Sequence, residues 1–290
     1  MLFRSIKSTG IFKLLSKFNG YDGKYLSGTH IISEKLSYDE FMRVLTTKPA
    51  SIKVTIPEGK NFLQIVDILF KAKVISDKEK FIKTANTSDF DYDFLKGLSV
   101  NRDNKLEGYL FPDTYEFGMN SEDEEVLTKM LDNFRNKLKE SYIDRLKKLD
   151  GMTLDKIVTL ASIIEREAKD SEERYTISGV FYNRLNSKDK TLRKLQSCAT
   201  IQYILIKKQG AIKERLFDAD LQIEDPYNTY LNAGLPPGPI CSPGEAAIKA
   251  ALYPDSETNY LYFVAKGDGT HQFSQTFKQH QAAIAKYGLR

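Results

Sequence analysis

Tryptophan is absent from this 290-residue chain, cysteine occurs only as Cys198 and Cys241, and there are 3 histidines. Two cysteines exclude a disulfide-rich scaffold and cannot build a cysteine-rich structural zinc site. Long apolar runs are missing as well. Stretches such as residues 260–265 fall far short of the roughly 20 apolar residues a membrane span needs, and no signal peptide follows Met1. Charge of one sign is also scarce: 43 Lys and Arg against 39 Asp and Glu leave a net +4. The basic groups at 145–148 and 188–194 read as solvated surface, so nothing points to nucleic acid. No nucleophile elbow, phosphate-binding glycine loop or dinucleotide fingerprint occurs. Neither His271 nor His280 stands at a metal spacing from nearby carboxylates, and no metal or cofactor is expected.

What is present is ample core material, with 41% hydrophobic and 28% charged residues, the balance of a globular chain of one large or two modest domains. Ser37 and Glu40, Asn61 and Gln64, and Ser76 and Glu79 each have the spacing of a capping box at a helix start. Between Ile52 and Ile56 apolar and polar residues alternate as in a strand with one buried face, stopped by Pro57, Glu58 and Gly59. Residues 84–105 lack a period and read as connection. Residues 106–117 read as strand or extended chain around a Pro-Asp turn, and 121–149 as one charged helix bridging two parts of the chain. A boundary is expected near 118–125. Thr153 caps a helix in which Ile157, Leu160, Ala161, Ile164 and Ala168 recur at three and four, and helices over 174–185 and 200–208 follow. Three prolines and two glycines within 234–239 suit a shaped surface loop. Residues 260–264 and 271–273 are expected to pair as a hairpin around Gly267-Asp268-Gly269.

Glu165 is the candidate for chemistry. It shares a helix face with Ala161 and Ser162, and partial desolvation would raise its pKa into the range where a carboxyl exchanges a proton near neutrality. The bland alternative is a solvated Glu paired with Lys169, four positions on. Glu167 is the weaker candidate, since a two-residue offset turns it away from Glu165. Tyrosines crowd the second half and serve a sugar groove or a core equally well. The amides of Asn183, Gln196, Gln202 and Asn228 could meet hydroxyl and N-acetyl groups, or could be turn and cap residues.

The ordered set Leu160-Ala-Ser-Ile-Ile-Glu165-Arg-Glu167, Val180-Phe-Tyr-Asn-Arg-Leu185, Leu195-Gln196, Thr200, Tyr227-Asn-Thr-Tyr230, Gly234-Leu-Pro-Pro-Gly238, Pro243-Gly244 and Tyr260-Leu-Tyr-Phe-Val264 resembles the endolytic murein transglycosylases of the YceG-like family. Val54-Thr-Ile-Pro-Glu-Gly59 and Leu106-Glu-Gly-Tyr-Leu-Phe-Pro-Asp-Thr-Tyr115 are similar to segments of the same family bordering a small LysM-like peptidoglycan-binding unit. The resemblance implies an α+β fold: a partial LysM-like subdomain over 1–49, a LysM-like subdomain over 50–120 and a mixed helical and β catalytic domain over 121–290. It implies an enzyme held by a single-pass anchor in the cell membrane, catalytic on the extracytoplasmic face, with no such anchor in this sequence. Its partner is the peptidoglycan glycan strand, with peptidoglycan synthases nearby.

In the chemistry the resemblance implies, Glu165 is the acid/base that cuts the MurNAc-GlcNAc bond without water and leaves a 1,6-anhydro-MurNAc end. Ser162, Gln196, Thr200, Asn228, Tyr230 and Pro236 are implied to line the groove, with His271 and Phe273 on a closing hairpin that His280 steadies. A hydrolytic muramidase and a noncatalytic glycan-binding scaffold are the alternatives. Where many members carry Asp-Pro before the threonine matching Thr200, this chain has Cys198-Ala199. A disulfide between Cys198 and Cys241 beside the groove is the expectation attached to that departure.

Overall fold

A computed structural model describes residues 8–33, 36–168 and 170–287. Helix α1 (Thr9–Phe18) spaces Ile11, Leu14, Leu15 and Phe18 as one helical stripe yet leaves Ile11, Leu14 and Phe18 exposed. In α2 (Tyr38–Leu45) the Ser37 hydroxyl accepts from the Glu40 N–H while the Glu40 carboxylate accepts from the Ser37 N–H, the reciprocal box that the spacing predicts.

Strand β1 (Ser51–Thr55) turns Val54 inward, with Ile56 following on the same side, and sends Ser51, Lys53 and Thr55 out, as its alternation requires. Helices α3 (Phe62–Lys71) and α4 (Lys78–Thr87) come next. Strand β2 (Thr114–Gly118) then returns antiparallel to β1, with Ile52 opposite Phe117 and Val54 opposite Tyr115. The result is a strand-helix-helix-strand unit. Three local expectations change. The cap of α4 is Asp77, not Ser76, because Asp77 is the extended residue whose carboxylate accepts from the Lys80 N–H at 3.0 Å. Residues 106–109 form turns and only Thr114–Gly118 is strand, with Gly108 at φ +85 pressed so closely on Pro239 that a Cβ there would lie 2.5 Å from its ring. The long helix expected over 121–149 is two, α5 (Asp123–Lys137) and α6 (Glu140–Leu146), interrupted where Leu138 and Lys139 leave helical geometry.

Helix α7 (Leu154–Glu167) is capped by Thr153 and buries Ile157, Leu160, Ala161 and Ile164. It packs against α8 (Glu173–Leu185), α9 (Cys198–Gln209) and, past the short α10 (Asp218–Leu221), α11 (Glu245–Leu252). Strands β3 (Tyr262–Ala265) and β4 (His271–Ser274) make the expected hairpin, and α12 (Phe277–Tyr287) covers it with His280 stacked on Tyr262 at 5.1 Å.

The core runs unbroken from Val54 to Leu252 across the expected boundary at 118–125. Helix α5 packs on α4, and its Phe134 ring lies 5.0 Å from Phe94 and 5.1 Å from Tyr109. It therefore completes the first half and is not a bridge. Small sheets and many helices around that core make the class α+β, as expected.

Glu107 ties the halves together from inside. Its side chain is buried, accepting from the Phe62 N–H at the start of α3 (2.9 Å) and from the Tyr203 hydroxyl on α9 (3.3 Å). Burial pushes its pKa up from 4.5 to about 8 against these hydrogen bonds. Between those two values the unfolded chain has released the proton that the folded chain keeps, so stability falls as pH rises, by about 1.4 kcal/mol per pH unit for this group. Glu107→Gln keeps the shape without the proton. The urea midpoint is expected to drop between pH 5 and pH 8 in the parent chain and to drop less in E107Q.

Candidate active site

Glu165 sits in the last turn of α7, where its side chain keeps only 7% of its surface accessible. Its Oε2 accepts from the backbone N–H of Gly244, at the start of α11, at 3.1 Å, and its Oε1 lies 3.5 Å from the Arg174 guanidinium on α8. Burial raises its pKa above the usual carboxylate range. The Gly244 N–H opposes this, the nearby Glu58 carboxylate reinforces it, and Arg174 and Arg166 oppose it. The carboxyl is thus neither in open solvent nor sealed by a full set of hydrogen bonds. Arg174 is the cation the fold supplies; Lys169, the partner that helix spacing suggested, lies outside the described residues.

Two loops meet over this carboxyl. The turn after β1 places Gly59 at φ +74, and its N–H donates to the Ser242 carbonyl at 3.0 Å while the Ser242 N–H donates to the Lys60 carbonyl at 2.8 Å. A Cβ on Gly59 would sit 3.8 Å from Glu165 Cγ, and one on Gly244 would sit 1.9 Å from Glu58 Oε1. Glu58, Gly244 and Arg174 are the site residues that reasoning from the sequence missed. The stop signal Pro57-Glu58-Gly59 was visible, but its destination was not.

Several expected groove residues are instead load points of the walls. Ser162 is buried, donating to the Thr159 carbonyl (2.7 Å) and accepting from the Ile240 N–H (3.0 Å), so it fixes the Pro-Gly loop to α7. Thr200 is buried against Thr229 (2.9 Å) and donates to the Ser197 carbonyl (2.8 Å). Asn228 is buried too: its amide donates to the Leu221 and Ile223 carbonyls and its oxygen accepts from the Tyr230 N–H. Pro236 is buried within the loop. These four are held inside because their polar groups or rings are already engaged by neighbouring chain, which sequence position alone does not disclose.

Gln196 is exposed, with a left-handed backbone at φ +54, and Arg184 holds its Oε1 at 2.7 Å. The buried Arg184 also donates to the carbonyls of Leu261 and Lys194, joining α8 to two loops. Tyr230 is half-buried, its hydroxyl 3.1 Å from Cys198 Sγ. Glu167 turns away from Glu165 as expected, accepting from the Ser197 hydroxyl at 2.5 Å at the start of α9; burial raises its pKa, with Ser197, His271 and the Ala199 N–H opposing. His271 is buried and both its N–H and its ring Nδ1 meet the Glu173 carboxylate, at 3.0 and 2.7 Å. Half-buried Phe273 stacks on Tyr260 at 5.5 Å and, with Gln272, lines an open cavity of about 520 Å³ beside α12. A second cavity of about 730 Å³ lies between β2 and α5. Neither of these two is lined by Glu165, which lies at the seam where the two loops meet.

The expected disulfide does not form. Cys198 is exposed beside Tyr230, whereas Cys241 is buried and directs its Sγ toward the Ser162 carbonyl at 3.3 Å. Among the described residues no group of three or more His, Cys, Asp or Glu side chains could hold a metal ion.

The YceG-like family model matches residues 4–286. The chain belongs to this family. It is 35% identical over 292 residues to the endolytic murein transglycosylase of Bacillus subtilis, covering 97% of this chain and 78% of that protein. It is 29% identical to the endolytic murein transglycosylase of Streptococcus pneumoniae D39 over 97% of the chain, which spans about half (54%) of that relative. The crystal structure of a yceG-like protein from Listeria monocytogenes superposes with a TM-score of 0.67 at 32% identity, over 95% of this chain and 90% of that one. The YceG-like fold is therefore common to the chain and that neighbour.

The placement of the two thiols is directly measurable. In protein isolated without reductant, a thiol reagent is expected to label Cys198 in the folded chain and both cysteines only after denaturation. Absence of label in denaturant before reduction would mean that the two are paired.

Proposed function

We propose that this YceG-like chain is an endolytic murein transglycosylase, a lyase that cuts peptidoglycan glycan strands internally with Glu165 as the single acid/base. The observation that carries the reading is the state of that carboxyl. It is 7% accessible and shifted toward its protonated form by burial, and one backbone N–H holds one of its oxygens while a loosely placed arginine faces the other. The activity named for the Bacillus and Streptococcus relatives supports it.

In the proposed reaction the acid form of Glu165 gives its proton to the glycosidic oxygen that leaves MurNAc. The carboxylate then takes the proton of the C6 hydroxyl of the same sugar as that oxygen closes on C1, giving 1,6-anhydro-MurNAc and restoring the acid. The nucleophile is part of the substrate, so no second carboxylate has to position a water. Arg174 and the Gly244 N–H steady the carboxylate stage, and the strand reaches it where the seam between 58–60 and 242–244 parts. Gln196, Tyr230 and Phe273 are the expected sugar contacts that remain at least partly accessible; Ser162, Thr200, Asn228 and Pro236 shape the walls behind them, and His271 holds the hairpin. The β1-α3-α4-β2 unit serves as the LysM-like glycan-binding part. The whole enzyme works on the extracytoplasmic face of the cell membrane, held by a single-pass anchor beside the synthases. Among the described residues no helix is long and apolar enough to cross a membrane.

Glu165→Gln keeps the hydrogen bond from Gly244 and removes the proton. Release of anhydro-muropeptides from sacculi is expected to fall roughly 10²- to 10⁴-fold with folding unchanged, and parent activity is expected to decline as pH rises through the elevated pKa of Glu165. Products heavier by one water would identify a muramidase. Glycan binding with no release by the parent chain would identify a scaffold, and undiminished release by E165Q would remove Glu165 from the chemistry.

A further inference from the structure

A charged group that no step above uses stands beside the proposed acid. Glu58 belongs to the first half of the chain, on the turn between β1 and α3, whereas Glu165 belongs to α7 in the second. Both carboxylates meet at one residue. Gly244 gives its N–H to Glu165 Oε2 at 3.1 Å, and its Cα carries Glu58 so closely that an added Cβ would fall 1.9 Å from Oε1 and 2.1 Å from Cδ. The turn that carries Glu58 is held to the loop by backbone, and the carboxylate reaches Gly244 from it as the end of an exposed side chain. Gly59 N–H to Ser242 O and Ser242 N–H to Lys60 O bind the turn to the loop, and Gly59 itself faces the Glu165 side chain. Glu58 is exposed and, among the described residues, has no ion-pair partner, so its charge is not cancelled locally.

We infer that Glu58 belongs to the same site as Glu165: a positioning carboxylate, carried in by the first half of the chain, that sets the charge of the pocket in which the acid works. The inference rests on the reading of Glu165 given above. The charged and titratable groups facing Glu165 are Arg166 on its own helix, Arg174 from α8, the Cys241 thiol from the loop before α11, and Glu58 from the turn after β1. Two of these are cations that favour the ionised form. Glu58 is the anion that opposes them, and it also adds negative charge where the sugar ring becomes cation-like at C1. Because the second half alone lacks this group, the acid is tuned only when the two halves are docked.

Glu58→Gln preserves size and loop hydrogen bonds while removing the charge. With less negative charge nearby, Glu165 is expected to ionise at lower pH. The alkaline limb of anhydro-muropeptide release and the ¹³C titration of the Glu165 side-chain carboxyl are both expected to move down by roughly half a pH unit, the size of a like-charge effect across a partly wet gap. Gly244→Ala, which displaces the Glu58 carboxylate without altering it, is expected to give the same sign, and the double variant no further movement. Glu58→Asp, which keeps the charge, is expected to restore the limb toward the parent. An unmoved Glu165 titration in both E58Q and G244A overturns the inference, whatever their rates. If E165Q is inactive while these titrations stay put, only the role of Glu58 falls; if E165Q is fully active, the reading of Glu165 falls first.

Discussion

The site depends on one backbone hydrogen bond, from the N–H of Gly244 to the carboxyl of Glu165. The donor begins α11, the helix that packs on α7, so the contact joins the two main helices of the second half at the point where a proton can be held. Burial raises the free energy of the charged carboxylate and this N–H lowers it. A fuller set of donors would fix the group as a permanent anion, and none at all would lock it as a spectator acid. One donor leaves it between those limits.

The contrast with Glu167 shows how closely environment follows helix geometry. Two residues along α7 the side chain points under α9, where the Ser197 hydroxyl, the Ala199 N–H and the positive end of that helix receive it. Both carboxyls are buried and both are shifted upward, yet one is a clamp between helices and the other opens on a seam. Glu107 is a third case, also raised by burial, with its hydrogen bonds given to the joint between the first helices and α9.

What could be read from the sequence was what short-range physics decides. The Ser37 and Asn61 boxes, the Thr153 cap, the alternation from Ile52 to Ile56 and the apolar stripe of α7 all depend on residues within a few positions of one another. The hairpin around Gly267 is equally local. The helix face that carries Glu165 was legible in the same way, and its surroundings were not. Illegible were the contacts made by distant chain: Glu58 on Gly244, Arg174 beside Glu165, and Arg184 gathering the carbonyls of Leu261 and Lys194. The same cause explains Asn228 and Thr200, polar residues that read as sugar contacts until their partners in the fold are seen. The break between α5 and α6 carries no proline or glycine, and it follows from how the two helices pack, α5 on α4 and α6 on α11.

Ser162 lies three residues before Glu165 and grips the Ile240 N–H, while its own carbonyl receives the Cys241 thiol. Acid and rear wall are therefore indexed to one helical turn, and any tilt of α7 carries both without changing their separation. The turn at residues 58–60 is tied to the same loop by two backbone hydrogen bonds, from Gly59 N–H to the Ser242 carbonyl and from Ser242 N–H to the Lys60 carbonyl. The end of β1 is thereby joined, through the loop before α11, to the turn of α7 that carries Glu165, far from it in sequence.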